Sequence, residues 1–174
     1  MLPPDYITYI SVLFGDTRWQ QYLNAFNEEP PVSIRLNPFK QPASGSVCCC
    51  TTAAVPWSRN AYYLSERPSF TLDPLLHAGA YYVQEASSMF LDHVLNSQLS
   101  TLNSQLILDL CAAPGGKSTL LRAALPDDAL LYSNEPDRRR ANILMENMQK
   151  QGHPNVIVTN NYPRDYQKSG LLFD

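Results

Sequence analysis

The run Asp109-Leu-Cys-Ala-Ala-Pro-Gly-Gly-Lys-Ser118 concentrates residue types that can hold a nucleotide-like cofactor. Residues 106–110 are apolar and read as a buried strand, and residues 118–125 read as a helix. Between them Ala112, Ala113, Gly115 and Gly116 leave a turn with little side-chain bulk, through which a ligand can approach the backbone. The start of the helix adds unpaired N–H groups and the positive end of its dipole. A triphosphate is a poor fit. Its loop has the spacing Gly-x-x-x-x-Gly-Lys-Ser/Thr. Gly116-Lys117-Ser118 supply the end of that pattern, but Cys111 stands where the first Gly belongs, and Pro114 removes a backbone donor. The dinucleotide pattern Gly-x-Gly-x-x-Gly is absent as well.

Glu135 follows the next apolar segment, where an acidic residue in a doubly wound fold can bond the ribose hydroxyls of an adenosine cofactor. Alone it reads equally well as a solvated charge at a helix start. Paired with the glycine turn, the ribose role is the better reading. Arg138-Arg139-Arg140 point in different directions on a helix and read first as a solvated face, with phosphate contact or an ion pair as alternatives. Cys48, Cys49 and Cys50 are consecutive, without Cys-x-x-Cys spacing or a His cluster, so no metal site and no disulfide framework is expected.

The elements that must position these residues follow from periodicity. Residues 129–132 and 156–159 read as strands, and residues 138–151 as a helix closed by Gly152. Strand–helix alternation in this order implies a parallel sheet. Residues 171–174 resemble the first half of a fourth strand. Upstream, residues 5–14 and the segment from Asp16 or Thr17 to Phe26 read as two helices punctuated by Gly15-Asp16, with Trp19, Tyr22, Leu23 and Phe26 as core. Residues 32–36 alternate like a strand, 41–54 read as a loop, 55–82 as short strands and turns, and 86–95 as a helix. Asn96-Ser-Gln-Leu99 recurs as Asn103-Ser-Gln-Leu106 and reads as a polar linker.

The chain has 174 residues, 44% of them hydrophobic, which is enough for a packed core. A net charge of −3 argues against nucleic-acid binding by the bulk surface and leaves room for a local basic patch. No apolar run approaches the ~20 residues that span a bilayer, and no signal sequence is evident. A cytoplasmic protein without membrane contact is expected.

Together, Val83-Gln-Glu-Ala-Ser-Ser-Met89, Asp109 to Lys117, Asn134-Glu135 and Arg140 resemble the Sun-type RNA (cytosine-5) methyltransferases. The likeness is greatest to bacterial ribosomal RNA members, whose N-terminal region carries a segment like Ser33-Ile-Arg-Leu-Asn37. The resemblance implies an α/β fold. A Rossmann-like methyltransferase domain over residues 84–174, incomplete at its C-terminus, would follow a small α+β accessory domain over residues 1–83 that helps place RNA. It implies S-adenosylmethionine as cofactor and RNA, ribosomal RNA in particular, as partner. Cys111, Ala112, Ala113, Pro114, Gly115, Gly116 and Lys117 would wrap the methionine part of the cofactor, and Glu135 would hold its ribose. Tyr162 stands where the family places an Asp near the adenine. Arg140 would be structural or face RNA. The family's Asp-x-Pro-Cys-Ser and Thr-Cys-Ser motifs, which carry its nucleophile, do not occur in this chain, and Cys111 belongs to the cofactor turn. The resemblance therefore assigns no catalytic residue here. The chain alone is expected to be inactive, with a non-catalytic RNA- or cofactor-binding role as the alternative.

Overall fold

Gly15 breaks the first helix. In the computed structural model, which describes residues 2–40, 50–98 and 106–174, helix α1 (Pro4–Ala25) runs as two segments that meet at Gly15, where φ is 69° and ψ is 166°. Two helices with this punctuation are what the residue pattern predicts. The expected core is smaller than its aromatic content suggests. Trp19 is buried and stacks on Tyr22, whereas Phe26, although edge-on to Tyr22, is 59% exposed. The chain divides into two compact units, Met1–Pro31 and Val32–Asp174.

In the second unit, strands β1 (Val32–Leu36), β2 (Thr51–Ala54), β3 (Ala61–Leu64) and β4 (Tyr81–Val83) form an antiparallel sheet in the order β2-β3-β1-β4. Ile34, fully buried at its centre, packs with Leu64, Ala80 and Tyr81. Strand β2 corrects the expectation of a loop through residue 54. All four of its side chains are exposed, so it lacks an alternating pattern, and pairing with β3 creates it. Cys48 and Cys49 lie outside the described residues. A short helix α2 (Pro74–His77) leads into β4, and a 3-10 turn (Ala86–Met89) leads into α3 (Phe90–Gln98). Helix α3 thus takes in residues 96–98 of the expected linker, and residues 99–105 are outside the described set.

The second sheet is parallel, in the order β5 (Leu106–Asp109), β6 (Leu130–Asn134), β7 (Val156–Thr159). Helix α4 (Gly116–Ala124) links β5 to β6, and α5 (Arg138–Gln151) links β6 to β7. Asp137 caps α5 by accepting the Arg140 N–H at 2.9 Å, and Gly152 closes it with φ 82°. Ala141, Leu144 and Met148 recur along one face of α5 and bury against Leu131 and Ala129. Each fully buried Leu there contributes roughly 1.5–3 kcal/mol. A further cluster of Val55, Ala61, Ala86, Met89 and Leu120 joins the antiparallel sheet to α4, whose Leu121 packs on the other side against the cluster of the parallel sheet.

The expected fourth strand does not form. Residues 163–169 make a short helix α6 (Pro163–Ser169), after which the chain lies beside the start of β5. Asp174 donates its N–H to the Leu106 carbonyl at 3.0 Å, and Phe173 packs edge-on to Tyr132 and Tyr166. One ladder bond is too little pairing to constitute a strand.

Candidate functional site

The carboxyl ends of β5, β6 and β7 come together, and Asn134 ties them. Its side chain is fully buried. Nδ2 donates to the carbonyls of Leu110 and Asn161, each at 3.0 Å, and Oδ1 accepts from Thr159 Oγ1 and the Asn161 N–H, also at 3.0 Å. An amide side chain has two donors and two acceptor lone pairs, and all are used. The Ala112 N–H donates to the Asn134 carbonyl at 2.8 Å, and the Glu135 N–H to the Thr159 carbonyl at 3.0 Å. The three loops that carry the predicted residues are therefore fixed to one another.

The 111–117 turn sits on this scaffold. Asp109 accepts from Ser118 Oγ at 2.7 Å, pinning the start of α4 to the end of β5. Ala112 and Ala113 are buried in the core. Gly115 has φ 117° and ψ 0°, a backbone that L side chains rarely adopt. The positions that the missing Cβ atoms would take correct the simple view of these glycines as room for a ligand. At Gly115 a Cβ would lie 3.3 Å from Asn147 Cβ, and at Gly116 it would lie 3.4 Å from Tyr82 Cε1. The glycines let α5 and β4 close on the turn. What the turn turns outward is Cys111, Pro114 and Lys117, all exposed, together with the first N–H groups of α4.

Glu135 is only 2% exposed. Its Oε1 accepts from the Asp137 N–H at 3.2 Å, and Oε2 lies 3.6 Å from Arg140 Nη2. The same Arg140 nitrogen donates to the Ala113 carbonyl at 3.0 Å. Arg140 therefore links the turn to the acid after β6, which gives it a positioning role. Arg138 and Arg139 are exposed. Tyr162, 58% exposed, opens α6 after β7, with its ring 5.3 Å from the Arg164 guanidinium. Asn160 ties this loop back by donating to the Glu135 carbonyl at 2.7 Å. The structure thus brings Cys111–Lys117, Glu135 and Tyr162 to one end of the sheet.

Beneath the turn lies a residue that spacing did not single out. Arg35, 4% exposed, donates from Nε to Gln84 Oε1 at 3.1 Å. Its Nη2 donates to Thr119 Oγ1 at 2.6 Å and to the Gly116 carbonyl at 3.4 Å. Burial pulls its pKa down to about 10, partly offset by Asp92 and the Tyr82 phenol, so it remains a cation at neutral pH. A strand arginine 81 residues before Gly116 carries no local signal of this contact. A cleft of about 240 Å³ is also at Arg35, and Cys111, Glu135 and Tyr162 are not among the residues that line it.

Comparison with known proteins agrees along nearly the whole chain. Residues 2–86 match the family described as the N-terminal domain of 16S rRNA methyltransferase RsmF, and residues 96–174 match 16S rRNA methyltransferase RsmB/F. Ribosomal RNA small subunit methyltransferase B of Yersinia pseudotuberculosis is 33% identical over 138 residues, 76% of this chain and 31% of the relative. The chain thus spans about a third of the length of the curated relatives it matches. A methyltransferase homologue from Pyrococcus horikoshii superposes with TM-score 0.73 at 24% identity, covering 99% of this chain and 61% of that one. NSun6 from the same organism, in a structure with SFG, gives TM-score 0.74 at 13% identity over 99% of this chain and 68% of that one. These superpositions establish the shared fold.

Proposed function

Since the chain belongs to the 16S rRNA methyltransferase RsmB/F family, we propose that it binds S-adenosylmethionine and serves methylation of cytosine C5 in RNA, with ribosomal RNA as the substrate. One observation carries this reading. The exposed rim of the 111–117 turn, a buried carboxylate at the end of β6 and an exposed aromatic ring after β7 meet at one edge of a parallel sheet. Ligands of such sheets bind at the carboxyl ends of the strands.

The residues present fit the cofactor. The first N–H groups of α4 suit its amino-acid carboxylate. Glu135 has about four acceptor positions, of which the Asp137 N–H and Arg140 engage two, leaving capacity for ribose hydroxyls. Tyr162 offers a ring face to the adenine, and Lys117 lies at the exposed edge of the turn. Arg140 positions the turn and Glu135 together. When bound, the cofactor supplies an electrophilic methyl group on a sulfonium.

C5 of cytosine becomes nucleophilic only after a thiolate adds to C6. None of the four cysteines follows a proline, and Cys111 sits in the turn, so we assign no nucleophile. This chain supplies cofactor binding and, through residues 1–83, RNA placement. The two functions divide near residues 83 and 84; one family match ends at residue 86 and the other begins at residue 96. A ribosomal RNA partner fits a cytoplasmic location. No described helix is long and apolar enough to cross a membrane.

Equilibrium dialysis with tritiated S-adenosylmethionine, followed by nucleoside mass spectrometry of small-subunit RNA incubated with the chain, tests the reading. Cofactor retention without 5-methylcytosine is expected. Absence of retention would overturn the cofactor assignment, and 5-methylcytosine formation would overturn the statement that this chain lacks the nucleophile.

A further inference from the structure

The 240 Å³ cleft lies between β1 and β4 on one side and helices α4 and α5 on the other. Its volume is several times the roughly 30 Å³ of one water. Arg35, Asn37, Tyr82, Thr119, Lys150 and Gln151 are among the residues that line it, and no Asp or Glu is. In a chain of net charge −3, this is a locally cationic recess. Among the described residues its deep cation, Arg35, makes no ion pair and its Nη1 has no acceptor. The nearby acids are engaged elsewhere. Asp92 accepts from Ser58 Oγ and the Arg59 N–H, and Asp73 from Tyr81 Oη and the Leu75 N–H.

Burying a guanidinium whose hydrogen bonds go to neutral oxygens is costly even with the Asp92 charge nearby, and an anion in the cleft would offset that cost. Around this charge the lining suits more than a bare anion. Tyr82 is half-buried and supplies a ring, and aromatic rings hold bases of single strands by stacking. Gln151 adds an amide whose orientation is set, because its Nε2 donates to the Thr119 carbonyl at 2.6 Å. Its Oε1 has no partner among the described residues. A nucleotide presents all three features: a phosphate, a base ring and the polar edge of that base.

We propose that this cleft is a second nucleotide site, holding one nucleotide of a single-stranded RNA with its phosphate toward Arg35 and Lys150 and its base against Tyr82. It is separate from the cofactor edge of the parallel sheet. The identification of the ligand as RNA rests on the function proposed above.

The 174-residue chain, labelled with nitrogen-15, would be titrated with cytidine 5′-monophosphate, cytidine, inorganic phosphate and a hexameric oligocytidylate. The monophosphate should shift the amides of Asn37, Gly79, Tyr82, Lys150 and Gln151 and bind at least about tenfold more tightly than cytidine or phosphate (1.4 kcal/mol). The hexamer should bind more tightly still. Lys150→Glu and Tyr82→Leu, in chains that keep the parent circular dichroism and melting temperature, should each weaken the hexamer about fivefold or more. Phosphate binding as tightly as the monophosphate would reduce the cleft to an anion site and overturn the proposal. So would a hexamer weaker than the monophosphate, shifts confined to residues 111–117, or folded variants that bind like the parent. S-adenosylhomocysteine titrated into the same samples reports the cofactor reading separately. Its binding beside a silent cleft rejects this inference alone, and a filled cleft without its binding rejects the cofactor reading alone.

Discussion

Replacing Asn134 by Ala should uncouple the three strand ends on which the site stands. The side chain is fully buried and makes four hydrogen bonds, each at 3.0 Å, to Leu110, Thr159 and Asn161. At about 0.5–1.5 kcal/mol net per bond, the loss spans about 2–6 kcal/mol. The lower half of that range is expected, because Thr159 Oγ1 keeps Tyr166 Oη as a partner. The carbonyls of Leu110 and Asn161 lose these donors inside the protein. A loss of about 3 kcal/mol in a chain of this size corresponds to a melting temperature about 6–12 °C lower. Scanning calorimetry of parent and variant measures it directly. Since Leu110 opens the 111–117 turn and Asn161 precedes Tyr162, affinity for S-adenosylhomocysteine should fall with it. A melting temperature within about 2 °C of the parent would refute the claim that Asn134 joins the strand ends.

Three further outcomes follow from other parts of the same geometry. Gly115→Ala must place a side chain at φ 117° and 3.3 Å from Asn147 Cβ, and should cost about 1–3 kcal/mol in urea unfolding; an unchanged midpoint would show that the turn relaxes freely. Arg140→Met removes the bond to the Ala113 carbonyl and the pairing with Glu135, but the arginine side chain is 58% exposed and its ion pair is screened. Stability should change by less than about 1 kcal/mol while cofactor-analogue affinity drops several-fold by calorimetry; the reverse pattern would make Arg140 a stabilising residue rather than a positioning one. Burial, reinforced by the Arg122 charge and opposed by Asp127, holds the His153 pKa below its ordinary value, so the native chain favours the neutral ring. Its contribution to stability is full above about pH 6.5 and lost as pH falls through the lower folded value. His153→Gln should flatten the decline of the urea midpoint on acidification, and an unaltered slope would assign that decline to other groups.

How much could be read in advance depended on whether a constraint was local. Helix α5 and strand β7 have the predicted bounds, because Asp137, the apolar face of Ala141, Leu144 and Met148, and Gly152 lie within one stretch of chain. The 111–117 turn was legible for the same reason, since a tight strand-to-helix connection leaves its mark in small residues. The purpose of those residues was not legible. Only the packed structure shows that Gly115 faces α5 and Gly116 faces Tyr82. Strand β2 gave no signal because all four of its residues are exposed on either face and its stability comes from pairing with β3. Residues 171–174 carry a strand-like composition, yet among the described residues they form no strand and reach β5 through one backbone bond and the Asp174 side chain, which accepts the Leu106 N–H at 3.1 Å. Arg35 and Asn134 stand in motifs of the family resemblance, but what they hold together was hidden, because their partners are distant in sequence and their residue types are common on surfaces. Their roles exist only once β1 meets α4 and once the three parallel strands end together.

The central claim is that the edge formed by residues 111–117, Glu135 and Tyr162 binds S-adenosylmethionine. Calorimetric titration of the chain with S-adenosylhomocysteine and, separately, with ATP tests it most directly. One molecule of the homocysteine analogue should bind per chain, about tenfold more weakly or worse in Lys117→Glu and in Glu135→Gln, and ATP should give no specific heat. Binding of ATP with the analogue silent, or parent-like analogue affinity in both variants, would contradict the account.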